Sequence, residues 1–124
     1  MEDFVTFEIA KKLEEKGFNW PCYHYYRKNK KDLFMIFPSE NWDYDEERIN
    51  APSISQARKW LIKEKKLFIE ISMSFNKYYF EIYCTDSYDE TYGNQINRKF
   101  NEIDYNTDEQ ATLAGIEYAL DNLI

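Results

Sequence analysis

Apolar and polar positions alternate with period two through Leu67–Met73 and again through Tyr78–Cys84. In the first run Leu67, Ile69, Ile71 and Met73 share one side, and Phe68, Glu70 and Ser72 the other. In the second, Tyr78, Phe80, Ile82 and Cys84 alternate with Tyr79, Glu81 and Tyr83. Successive side chains of a strand point to opposite faces, so each run predicts a strand with one core face and one half-wet face. The short link Ser74-Phe75-Asn76-Lys77 predicts a hairpin.

Three other segments carry helical spacing. The first runs from about Phe4 or Phe7 to Lys16, with Val5, Ile9 and Leu13 on one stripe, Phe7 and Ala10 beside it, and Gly17 as its left-handed stop. The second opens at Pro52-Ser53, where Ser53 is placed to cap and Gln56 to complete a capping box. Its stripe is Ile54, Ala57, Trp60 and Leu61, and Lys63, Lys65 and Lys66 suit the negative end of its dipole. The third is capped by Thr107 with Gln110 three residues on, and carries Leu113, Ile116, Leu120 and Leu123.

Between these lie weaker signals. Cys22–Lys28 and Leu33–Phe37 predict a second hairpin around Asn29-Lys30-Lys31-Asp32, stopped by Pro38. Ser39 to Pro52 has no periodicity, is rich in acid, and is expected to be the longest loop. A fifth strand is expected between Ile96 and Tyr105. The order helix, hairpin, helix, hairpin, weak strand, helix predicts one α+β domain over residues 1–124. Its sheet should be mainly antiparallel, with four to five strands and three helices packed chiefly on one face. Ile9, Leu13, Trp60, Leu61, Ile69, Ile71, Phe80, Ile82, Ile116 and Leu120 are the expected core.

Composition narrows the class. The 124 residues include eleven Tyr, nine Phe and three Trp but only three Gly and three Pro, which argues against a linker or a disordered tail. No apolar run is long enough to cross a bilayer. The first residues, Met1-Glu2-Asp3-Phe4, lack the basic, then apolar, opening of a secretory leader, so a soluble cytoplasmic protein is expected. Net charge is −7, and all of the excess lies in the last third. Residues 1–85 hold fourteen basic and fourteen acidic side chains; residues 86–124 hold two and nine. Such a surface repels nucleic-acid phosphate and attracts basic partners.

Few motifs carry chemistry. Cys22 and His24 share a strand face, but with Cys84 they are the only Cys and His side chains, too few for the four ligands of structural zinc. Asp43, Asp45 and Glu47 begin like a calcium loop, yet Arg48 stands where the turn glycine belongs and Ile54 where the bidentate Glu belongs. No phosphate-binding glycine loop, nucleophile elbow or metalloprotease helix is present. The reading is therefore of a non-enzyme without catalytic residue, cofactor or metal. Two candidate surfaces remain. Phe68, Tyr79 and Tyr83 fall on one sheet face, with Asp86, Asp89 and Glu90 in the loop that follows, and this set suits a protein partner. Tyr25, Arg27, Lys28, Lys30 and Lys31 form a basic, aromatic hairpin that suits single-stranded nucleic acid. A covering helix over the first set, and charge protection of a strand edge by the second, are the structural alternatives.

Asn50-Ala51-Pro52-Ser53-Ile54-Ser55-Gln56, Lys59-Trp60-Leu61, Phe80-Glu81-Ile82-Tyr83, Ala114-Gly115-Ile116 and Ala119-Leu120 resemble a group of small proteins. These are encoded by bacteriophages and mobile elements of gut bacteria. Phe7-Glu8-Ile9-Ala10-Lys11 and Lys16-Gly17-Phe18 extend the resemblance over most of the chain, and it weakens at residues 38–49 and 85–101. It rests on caps and core positions and brings no activity or site with it. It implies an accessory protein of a phage or mobile element, expected here to act by binding another protein. A small-molecule or nucleic-acid binding module is the alternative, and homo-oligomerisation through the aromatic face is a further possibility. A minor alternative is an acidic nucleic-acid mimic built from Asp86, Asp89, Glu90, Asp104, Asp108 and Glu109.

Overall fold

The structure, a computed structural model, describes residues 3–27, 33–35, 48–85, 94–97 and 105–124. Its elements are α1 (Phe7–Glu15), β1 (His24–Arg27), β2 (Leu33–Met35), β3 (Arg48–Asn50), α2 (Ile54–Lys65), β4 (Leu67–Ser74), β5 (Lys77–Cys84), β6 (Asn94–Asn97) and α3 (Asp108–Asn122). The class is α+β with three helices, as the periodicity predicts. The strands, however, form two antiparallel sheets rather than one sheet of four to five strands. The first has the order β2-β1-β3 and the second β4-β5-β6.

One carbonyl on the outer edge of β4 is taken from within the chain: Arg58 of α2 donates from Nη2 to the carbonyl oxygen of Ile69 at 2.5 Å. A strand joining the second sheet would need this edge or that of β6. The first sheet instead completes itself with β3, which pairs Tyr26 with Ile49 and Arg27 with Arg48. This three-residue strand lies in the stretch read as loop, because one buried residue, Ile49, leaves no alternation to detect. The last strand is also shifted: β6 ends at Asn97, and Tyr105 adds a single bridge to Tyr78.

The helix caps largely follow the sequence. The Ser53 hydroxyl accepts from the Gln56 N–H at 3.1 Å, and the Thr107 hydroxyl accepts from that of Gln110 at 3.1 Å. Thr6 caps α1 in the same way, at 3.3 Å from the Ile9 nitrogen. The Gln56 side chain leaves its expected box and donates to the Pro21 carbonyl at 2.9 Å. The N-terminal segment is stitched to the start of α2: Val5 N–H donates to Pro52 O, and Ile54 N–H to Asp3 O. Tyr26 Oη adds a bond to Val5 O at 2.6 Å. Lys12 of α1 meets Glu117 at 3.2 Å and Asp121 at 3.0 Å on α3, chiefly the Asp121 bond holding its ammonium above the usual lysine range.

One core gathers these parts. Ile9, Leu13, Ile49, Trp60, Leu61, Leu67, Ile69, Phe80, Ile82, Ile116 and Leu120 are all buried in it. Ile71 is the exception among the expected core positions: it is half-buried, in a groove it lines with Arg58 of α2 and Asp108 and Thr112 of α3. Among the described residues no helix is long and apolar enough to cross a membrane.

The tightest joint is between α3 and the second sheet. Ala111, Gly115 and Ala119 are buried on the face of α3 that also carries Ile116 and Leu120. A Cβ at Gly115 would lie 2.8 Å from Ile69 Cγ2 and 3.2 Å from Phe80 Cγ. Neither neighbour is the free end of a long chain, so neither yields cheaply. Gly115→Ala gains about 1 kcal/mol of helix propensity but forces overpacking that costs about 1–3 kcal/mol. Urea unfolding should show a net loss of stability; a gain would mean that the helix does not sit this close.

Candidate acidic aromatic sheet face

The β4–β5 hairpin turns at Phe75 and Asn76, both with positive φ. That two-residue turn fixes the register: Phe68 stands opposite Tyr83, Glu70 opposite Glu81, and Ser72 opposite Tyr79. All six side chains point away from the face carrying Ile69, Phe80 and Ile82, against which α2 and α3 pack. Among the described residues no helix lies over them. Phe68, Tyr79, Glu81 and Tyr83 are half-buried and Glu70 is exposed.

The centre of the face is two carboxylates directly across the ladder from one another. Opposed like charges are unfavourable in a sheet by a few tenths of a kcal/mol. Tyr83 Oη donates to Glu81 Oε2 at 2.5 Å, which satisfies part of one carboxylate. The same bond is the main reason that the phenol is pushed up to about 12, with desolvation and the negative charges of Glu81 and Glu70 adding to it. The face sets two opposed glutamate side chains, one of them bonded to the Tyr83 phenol, within a frame of aromatic rings. The chain already lays one of its own cations on this frame: the Arg58 guanidinium carbon is 5.8 Å from the centre of the Phe68 ring. Chemically, the face is equipped to take ammonium or guanidinium groups between carboxylate and ring.

Of the partner-binding candidates, Phe68, Tyr79 and Tyr83 are brought together here, and Asp86, Asp89 and Glu90 lie outside the described residues. Glu70 and Glu81 were not singled out by motif, although the register that opposes them follows once the turn is placed at Phe75-Asn76. Asp108 and Glu109 of the mimic set are exposed at the start of α3, where the helix dipole suits them. Asp104 lies outside the described residues.

The basic hairpin loses a stacking ring. Tyr25 is 2% exposed, beneath the Arg48 guanidinium at 5.7 Å, so it offers no face to a base. Arg27 is half-buried opposite Arg48; Lys28, Lys30 and Lys31 lie outside the described residues. Cys22 is a packing thiol that donates to Trp20 O at 3.4 Å, and burial pushes it up to about 11. His24 lies against Phe4, ring centres 4.0 Å apart. Among the described residues no three His, Cys, Asp or Glu side chains stand together as a metal site. No family model, curated protein or solved structure matches the chain.

The Tyr83–Glu81 bond has a direct readout. With 13C-labelled tyrosine, the Tyr83 ring carbon should titrate near pH 12, well above the ordinary value of about 10. Glu81→Gln removes the charged acceptor and should move that midpoint down toward the ordinary value. An unchanged midpoint in Glu81→Gln would assign the shift to burial instead.

Proposed function

We propose that this chain is a non-enzymatic accessory protein of a phage or mobile element that binds another protein through the outer face of β4–β5. The partner presents lysine or arginine side chains. Support comes from one observation above all: Glu70 and Glu81 are held opposite one another inside a frame of Phe68, Tyr79 and Tyr83. A sheet designed for stability alone would place opposite charges or β-branched residues across that rung. A cation from a partner would form an ion pair with the exposed carboxylate of Glu70 and gain ring contacts beside it. The overall charge of −7 adds attraction at a distance.

Calorimetry with an extended lysine- and arginine-rich peptide, and with neutral and acidic peptides of equal length, tests this. Only the basic peptide should bind, and its affinity should fall as salt rises. Glu70→Gln together with Glu81→Gln should weaken binding by about tenfold or more, roughly the effect of losing 1.4 kcal/mol, while leaving the fold at least as stable. Equal affinity for basic and neutral peptides, or no binding at low salt, would reject the reading.

A further inference from the structure

The tip of the β4–β5 hairpin is built against local preference. Phe75 has φ 51 and Asn76 φ 63, the paired left-handed residues of a tight hairpin turn. Asparagine and glycine adopt that conformation readily; a phenylalanine is strained there. Phe75 is also 98% exposed, and Met73 beside it is 59% exposed. A bulky ring placed in a strained turn and left in water gives the isolated chain nothing.

A receptor for such a ring lies beside it. A groove of about 310 Å³ is lined by Arg58, Ile71, Met73, Tyr78, Asp108 and Thr112 among others. A cavity of about 150 Å³ is enough to hold benzene. The outer edge of β4 runs along the groove. The turn places Ser74 opposite Lys77, so Ser72 and Glu70 direct their backbone groups to β5, and Met73, Ile71 and Ile69 direct theirs outward. Arg58 takes the outward carbonyl of Ile69. Among the described residues no strand or backbone group pairs with the outward groups of Ile71 and Met73.

We propose that these features join two copies of the chain. The β4 edges pair antiparallel about Met73, and Phe75 of each copy enters the groove of the other. Plug and receptor belong to one short stretch of one strand, which is what a two-fold, self-complementary interface requires. In that register Met73 faces Met73, and Phe75 of one copy faces Ile71 of the other, a groove residue. Ile69 faces only the far side of the turn, so Arg58 does not obstruct the pairing. Lys77, which follows the plug, bonds through its ammonium to Asn106 of its own chain, and Asp108 lines the groove. The two copies form one continuous sheet, with the Glu70–Glu81 faces of both on the side opposite the helices.

Sedimentation velocity from micromolar to millimolar concentration tests this, with two variants. The chain should shift from monomer to dimer as concentration rises. Phe75→Asn suits the turn better than phenylalanine, so this variant should fold at least as stably, yet its dimer should dissociate about tenfold more readily or worse. Met73→Cys should form an intermolecular disulfide under mild oxidation, identified by mass spectrometry of the linked peptide, because residues so opposed lie about 5.5 Å apart at Cα. A chain that stays monomeric throughout, or a dimer indifferent to Phe75→Asn and not linked through position 73, overturns the proposal.

Discussion

The missing side chain at Gly115 sets how closely α3 lies on the second sheet. With Ala111 and Ala119 on the same buried face, it brings the helix down onto Ile69 and Phe80. Dispersion attraction needs that closeness, because it falls away within an ångström of the optimum. The rest of the domain is built on the joint. Lys12 ties α1 to α3 through two carboxylates, and Trp60 and Leu61 of α2 complete the same core. One face of β4–β5 is thereby committed to the helices, and the other is left to different chemistry.

The outer edge of β4 is partly occupied from within the chain. An uncovered edge invites another strand. Arg58 occupies one carbonyl on it and lays its guanidinium toward Phe68, so a single side chain blocks the inner part of the edge and borders the outer face. The first sheet is held to the domain by a different device. The N-terminal segment bonds to Pro52 and the start of α2, and Tyr26 bonds back to Val5. The two backbone ties need no recognisable residue type, which is why nothing in the pattern announces them.

Much of this was legible in the sequence, and the exceptions have physical causes. Ser53 and Thr107 declare their helices because a hydroxyl satisfies an otherwise orphaned N–H. Strict alternation declares β4 and β5. Ile49 could not declare β3, since a strand of three residues has one inward position. Ile71 has the right face but lines an open groove between α2 and α3, a fact of helix placement and not of period. The bond that occupies the edge of β4 comes from Arg58, one of many exposed-looking basic residues on a helix. At the candidate site the aromatic positions were visible as an alternating set. The carboxylate pair became visible only as a register, a property of two strands together.

That pair is the basis of the proposed function: one sheet face holds the fold, and the opposite face, centred on Glu70 and Glu81, is proposed to receive cations from a partner. Backbone amide shift mapping by NMR with a basic peptide tests this most directly. The account predicts that perturbations gather on Phe68, Glu70, Tyr79, Glu81 and Tyr83 and spare the outer surface of α1. Perturbations gathered on α1, or scattered evenly over the acidic surface, would contradict it.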